Sequence, residues 1–248
     1  MALRETYEKQ GAFLFRGRSF LPLLVAPLVV AALLDPQYTH PLFSGFSGSL
    51  WKALCILISF AGLGVRSLVA GYVPLGTSGR NTERQVATSL NTKGLYSMVR
   101  NPLYLGNFLI ILGLLLFAQV WWFTLAGVAI FWIFYERIIF TEEEFLRQKF
   151  GATFVEWSLK TPVFIPRFSG WQKPELPYSW KIVLRREHST QFGMVSALTV
   201  LGIASDLFTT PNHRIASFWW IFWGTSLVVY LVFRFLKKKT SVLNIEGR

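Results

Sequence analysis

Long apolar blocks, separated by polar and mostly basic stretches, organise this chain. The first block, about residues 20–34, is short and holds Pro22 and Pro27, which predicts a kinked or tilted span behind a polar lead-in of residues 1–19. No small-x-small cleavage site follows before Asp35, so the block does not read as a signal peptide. Further spans are expected over about Leu50–Val73, Leu103–Phe117, Trp121–Phe140, Phe192–Phe208 and Ile215–Phe235. Only a few residues around 118–120 separate the third and fourth runs, so these must be antiparallel neighbours.

From Thr141 to about Leu159 the pattern changes. Leu146, Phe150, Phe154 and Trp157 recur at helical spacing with charges between them, which predicts an amphipathic helix in the interface, interrupted at Gly151. Thr141 with Glu144 fits a capping box for that helix, and Glu142 and Glu143 would favour its N-terminal dipole.

Composition agrees with the pattern. With 52% hydrophobic and 15% charged residues in 248, the chain is expected to be an all-α integral membrane protein rather than a domain with a large core. A formal charge of +12 suits cytoplasmic loops and anionic headgroups better than nucleic acid. The single cysteine, Cys55, excludes an intramolecular disulfide. His40, His188 and His213 are scattered and form no metal-ligand pattern.

Loop charges set the orientation. Lys and Arg number four before residue 20, four in 74–101, nine in 137–191 and five from Arg234 onward, against none in 35–49, none in 118–120 and Arg214 alone between the last two spans. That alternation predicts six spans with both termini cytoplasmic. Arg66, inside the second span, either snorkels to the interface or faces a polar cavity, and snorkelling is the expected choice.

Under this topology two polar features meet at the cytoplasmic face. One is the stretch Gly94–Gly106, in which Asn101 and Pro102 make a well-formed helix start. The other is Glu142-Glu143-Glu144 at the end of the fourth span. A helix N-terminus and Arg100 suit a carboxylate or phosphate, the glutamates accept from amines or hydroxyls, and Tyr96, Tyr104 and Trp157 offer aromatic faces. Together they fit a zwitterionic, ribose-bearing ligand. Each also has a structural reading: Arg100 and Tyr104 as interfacial anchors, Gly106 and Gly113 as close-packing positions.

The constellation resembles the isoprenylcysteine carboxyl methyltransferase and phospholipid methyltransferase superfamily. Its pattern, G-x-Y-x-x-x-R-(H/N)-P-x-Y-x-G, a helical hairpin, E-E-x-x-L-x-x-x-F-G and a proline pair, is met here. The matching residues are Gly94, Tyr96, Arg100, Asn101, Pro102, Tyr104 and Gly106, then Glu142, Glu143, Leu146, Phe150 and Gly151, then Pro162 and Pro166. The resemblance covers about residues 50–168. It implies S-adenosylmethionine held by Gly94, Tyr96, Arg100, Asn101, Pro102, Tyr104, Gly106, Glu142 and Glu143, with Arg100, Asn101 and Glu142 catalytic and a membrane lipid acceptor entering from the bilayer. Asn101 stands where many members have histidine, and Phe154 and Trp157 where tyrosines are common; asparagine can cap and donate but cannot shuttle a proton. No G-x-G-x-x-G loop supports a soluble-type nucleotide site.

An anionic acceptor needs no base, and cationic residues including Arg66, Arg137 and Arg185 are expected to bind it. O-methylation of a lipid phosphate, such as that of lipid A, or of an isoprenylcysteine carboxylate is therefore favoured. Alternatives are N-methylation of a phospholipid amine, a nicotinamide-dependent reductase of the membrane sterol type, and a non-enzymatic scaffold or transporter. The stretch Phe13–Arg18 and the loop Gly79-Arg80-Asn81-Thr82 look bacterial, which suggests an inner-membrane location. Four segments are expected: an arm, first span and external loop over 1–49; the methyltransferase core over 50–168; a basic segment and final hairpin over 169–244; and 245–248, which spell a protease recognition sequence left from cloning.

Overall fold

The computed structural model describes residues 3–17, 21–35, 42–74, 87–209 and 214–245. The loop 79–82, His40, His213 and residues 246–248 lie outside these. Among the described residues eight α-helices occur in order: α1 (Leu3–Gly17), α2 (Leu21–Leu33), α3 (Gly45–Tyr72), α4 (Pro102–Phe117), α5 (Trp121–Phe150), α6 (Ala152–Lys160), α7 (Trp180–Thr209) and α8 (Ser217–Lys239). No strand is present among the described residues, as expected of an all-α chain.

Helices α3, α5, α7 and α8 are long and apolar enough to cross a membrane. Four of the six expected spans are met by length among the described residues. Helix α4, with 16 residues, reaches about 24 Å, and α2, with 13 and Pro27 inside, less still. As described, each is shorter than a hydrocarbon layer of about 30 Å, and α2 borders residues 18–20, which lie outside the described ones. Side-chain exposure follows the membrane pattern. Leu54 and Leu57 on α3, Leu125 and Ile133 on α5, and Ile221, Val228 and Phe235 on α8 all face outward. A contiguous apolar exterior of that kind is what lipid, not water, tolerates.

The interior is held by three clusters. Cys55, Ile110, Phe117, Met194, Val195, Leu198 and Trp219 join α3, α4, α7 and α8. Ala32, Leu115, Val120 and Phe123 join α2 to the α4–α5 hairpin. Phe15, Tyr104, Phe131, Tyr135, Ile138 and Phe164 join α1, α4, α5 and the chain after α6. Helices α3 and α4 approach most closely through small residues. A Cβ on Gly62 would lie 2.5 Å from Gly106 O, and one on Gly113 2.2 Å from Ser59 Oγ. The packing reading of these glycines therefore holds.

The α4–α5 turn is short, as its sequence requires. Gln119 takes φ 56° there, and its amide exchanges hydrogen bonds with the Phe43 backbone, accepting at 2.8 Å and donating at 3.2 Å.

The amphipathic helix does not begin at Thr141. Helix α5 runs unbroken to Phe150, and the chain breaks at Gly151, whose φ of 53° ends one helix and opens the next. Thr141 is thus a mid-helix residue that donates to Arg137 O at 3.0 Å, and no capping box forms. Glu144 pairs with Arg4 of α1 instead. The glutamates do not sit on a helix N-terminus. They project sideways from α5, and their partners are the site.

Candidate active site

Successive residues on an α-helix point about 100° apart. Glu142, Glu143 and Glu144 accordingly reach three different elements. Glu142 Oε1 accepts from Tyr104 Oη of α4 at 2.7 Å. Glu143 Oε2 pairs with Arg100 Nη1 of the preceding loop at 2.9 Å. Glu144 takes Arg4 of α1. The short hairpin is what sets Tyr104 near the start of α4 level with Glu142 near the end of α5. Sequence spacing placed these residues at one corner, and the structure brings Arg100, Asn101, Tyr104, Glu142 and Glu143 together there.

Arg100 and Asn101 are fixed by a strap formed by the chain after α6. Arg100 N donates to Pro162 O at 2.8 Å, Arg167 N to Met98 O at 2.9 Å, and Gly94 N to Gln172 O at 2.9 Å. The strap thus runs antiparallel to residues 94–100. Asn101 Nδ2 donates to Val163 O at 3.2 Å, and Gln172 N to Ser97 Oγ at 2.9 Å. Pro162 accepts through its carbonyl and has no N–H to satisfy, which suits a residue on the strap's edge. Trp157 of α6 donates from Nε1 to Tyr96 O at 3.1 Å, while Phe154 beside it is fully buried. The Nε1 bond ties α6 to the loop, and the Phe154 and Trp157 rings pack edge to face with centroids 5.8 Å apart.

Asn101 occupies the N-cap position with Pro102 at N1, as expected, but its side chain makes no cap hydrogen bond. The expected side-chain cap is corrected: the amide is committed to the strap and to the neighbourhood of Glu143. In the first turn of α4, Pro102 has no N–H and Tyr104 N and Leu105 N donate to Asn101 O at 3.1 Å, which leaves the Leu103 N–H to meet an anionic group.

Two buried atoms at this corner lack partners, Arg100 Nε and Glu143 Oε1. One is a donor and the other an acceptor. A part-buried ion pair that leaves one atom of each partner unpaired is costly unless a ligand completes it. Those atoms fit S-adenosylmethionine in kind, because the amino-acid end of that molecule carries both a carboxylate and an ammonium.

Other expected site residues lie elsewhere. Gly94 and Tyr96 line a cavity of about 280 Å³ with Val69, Tyr72, Lys93 and Pro174, and its lining includes neither Arg100 nor the glutamates. Gly106 faces α3, where a Cβ would lie 2.6 Å from Arg66 Cγ. Arg137 turns to α1, its guanidinium 3.8 Å from the Tyr7 ring centroid and its Nε donating to Gln10 at 3.3 Å. Arg185 is half-buried on α7.

Arg66 does not snorkel. Its Nε and Nη2 donate to Glu187 of α7 at 2.8 and 3.0 Å, and its Nη1 to Asn107 Oδ1 at 2.5 Å. The pair is 15% and 7% exposed, too buried for water to replace either partner. Glu187 and Asn107 were not anticipated. The usable signals were the need of an intramembrane arginine for an acid, and the i, i+3 spacing that sets Asn107 on the face of Tyr104.

Comparison with known proteins gives the family. Residues 45–153 match the family model described as phospholipid methyltransferase. The chain is 32% identical over 157 residues to the cobalt-zinc-cadmium resistance protein CzcN of Cupriavidus metallidurans, covering 63% of this chain and 67% of that protein. It is 29% identical over 160 residues to the nickel-cobalt-cadmium resistance protein NccN of Alcaligenes xylosoxydans xylosoxydans, covering 64% and 68%. A shorter match, 35% over 77 residues, joins it to the protein-S-isoprenylcysteine O-methyltransferase of Schizosaccharomyces pombe, covering 31% of this chain and 33% of that protein. No solved structure matches. The matched core holds the α4–α5 hairpin, Arg100 and all three glutamates, and the chain belongs to the phospholipid methyltransferase and isoprenylcysteine carboxyl methyltransferase superfamily of membrane enzymes.

Proposed function

We propose that this protein is an S-adenosylmethionine-dependent methyltransferase that O-methylates an anionic, lipid-linked group at the cytoplasmic face of a bacterial inner membrane. The observation that carries the reading is the unpaired donor and acceptor, Arg100 Nε and Glu143 Oε1, buried beside the N-terminus of α4. When bound, S-adenosylmethionine supplies the methyl group as an electrophilic sulfonium. Arg100 and the Leu103 N–H of α4 hold its carboxylate, and Glu143 accepts from its ammonium. Glu142, kept in place by Tyr104, is set to accept from a further hydroxyl or amine. The cavity beside Gly94, with Tyr72 and Tyr96 in its lining, offers aromatic surface to the nucleoside.

The residues' contribution to rate is alignment and exclusion of water, because displacement at a sulfonium is in-line and needs little proton movement when the acceptor is already ionised. A phosphate or carboxylate acceptor meets that condition. His188, on α7, sits against Leu184 O and the Tyr230 ring and is not invoked as a base. One observation favours a second acceptor class. Glu142 stands at the same corner as a carboxylate able to take a proton from an amine, so N-methylation of a phospholipid headgroup is the runner-up.

Two relatives carry metal resistance in their names. Esterifying an anionic headgroup removes charge that concentrates divalent cations at a membrane surface, and that would give this chain a role of the same kind through its product.

The test is incubation of the purified protein with radiolabelled methyl donor and a bacterial lipid extract. Label in a base-labile ester supports carboxylate methylation, label in a stable phosphate methyl ester supports phosphate, and label on nitrogen moves the reading to the amine. No labelled lipid, with donor bound, would exclude this acceptor class.

A further inference from the structure

The buried ion pair between Arg66 and Glu187 ties the C-terminal hairpin to the site through an unbroken set of contacts. Glu187 of α7 receives Nε and Nη2 of Arg66 from α3, at 2.8 and 3.0 Å. Arg66 Nη1 donates to Asn107 Oδ1 of α4, and Asn107 Nδ2 donates in turn to Tyr135 Oη of α5 at 3.1 Å. The Tyr135 ring packs on that of Tyr104 with centroids 4.8 Å apart, and Tyr104 Oη donates to Glu142. Four helices thus contribute one residue or more each to a polar line that ends on a candidate ligand carboxylate.

The line is directional because Asn107 has a fixed assignment. Its amide oxygen faces a guanidinium, which can only donate, so its NH2 must face Tyr135. Gly106, next to it, leaves room for the Arg66 stem, since a Cβ there would meet Arg66 Cγ at 2.6 Å. Glu187 lies outside the matched family segment, residues 45–153, so this link belongs to the part of the chain that the family core does not include.

We propose that Arg66, Glu187 and Asn107 are positioning residues: by holding Tyr135 against Tyr104, they fix the orientation in which Glu142 meets the methyl donor. The inference rests on the methyl-donor reading for its effect on affinity, but not for its effect on Tyr104. An apolar core would pack these helices as well as a buried ion pair does. The pair's function is therefore orientation, and replacing it by apolar residues should leave a folded protein with a misplaced Tyr104.

The test uses the full chain in nanodiscs. Asn107→Leu cuts the line while leaving the Arg66–Glu187 pair intact. The double variant Arg66→Met/Glu187→Leu removes the pair without stranding a charge. Two readouts are taken, S-adenosylmethionine affinity by calorimetry and the 19F resonance of a 3-fluorotyrosine at position 104 in donor-free protein. Asn107→Leu is expected to shift the resonance and weaken donor binding on the order of tenfold, the cost of about one hydrogen bond's worth of orientation. The double variant should do the same, and the triple variant no more than either. An unchanged resonance or an unchanged affinity in Asn107→Leu overturns the proposal, whether or not the double variant folds. If the wild type binds no donor, the methyl-donor reading fails by itself and the resonance alone decides the coupling.

Discussion

At the scale of single residues, what matters at this site is which atoms are satisfied and which are not. Tyr104 Oη donates to Glu142, whereas Arg100 and Glu143 each keep one buried atom without a partner. Chemistry of that kind was legible in the sequence because the family motif fixes the residue types and the hairpin fixes their level. Their partners were less legible. Asn101 had every mark of a capping residue, yet its Nδ2 donates to Val163 O of the strap, and its side chain makes no cap hydrogen bond. Arg66 looked like a snorkelling residue because its acid lies far along the chain, on a helix whose register against α3 no local pattern reveals. Gly106 shows the same dependence on context. Gly106→Ala would place a Cβ 2.9 Å from Gly62 O as well as against Arg66. The change should cost about 1–3 kcal/mol by overpacking, read as a lower thermal midpoint in detergent. A wild-type midpoint would mean that α3 and α4 are not packed this closely.

At the scale of elements, hydrophobic periodicity located the helices well and their ends poorly. The expected spans near residues 50–73, 103–117 and 121–140 correspond to α3, α4 and the first two-thirds of α5. Periodicity could not tell that α5 continues through the glutamates, because a helix leaving the apolar layer changes its pattern without changing its backbone. The break comes only where the backbone demands it. Gly151 has φ 53° and ψ −126°, a combination that side chains other than glycine's disfavour strongly, yet a Cβ at that point would meet no neighbour within 4 Å. Gly151→Ala should therefore destabilise through backbone strain alone, by about 1–3 kcal/mol. Donor affinity should stay within about twofold of wild type if the site is held by the strap and α5, as the hydrogen bonds to residues 162–172 indicate. A large loss of affinity without loss of stability would place α6 in the site.

At the scale of the whole molecule, exposed apolar faces on α3, α5 and α8 identify the surface that meets lipid. Topology is a separate matter, set by charge. The basic loops predict that both termini and the Arg100–Glu143 corner share the cytoplasmic side, with residues 42–49 and the α4–α5 turn opposite. Cys55 is fully buried, so it should not react with maleimide and gives a clean background. In sealed right-side-out vesicles, Phe43→Cys should label with an impermeant maleimide. Glu5→Cys and Lys238→Cys should label only after permeabilisation, and the reverse pattern would invert the protein. The number of crossings is where sequence pattern said least. Runs as short as α2 and α4 satisfy a hydropathy count, yet their length decides whether they can cross unaided.

The most direct test of the site is calorimetric titration of S-adenosylmethionine into the full-length protein in nanodiscs, beside Arg100→Ala and a folded control at the lipid-facing position Val228→Ala. The wild type and Val228→Ala are expected to bind with the same affinity, and Arg100→Ala to show no saturable heat. Equal binding by Arg100→Ala, or no binding by the wild type, would contradict the assignment of the Arg100–Glu143 corner as the methyl-donor site.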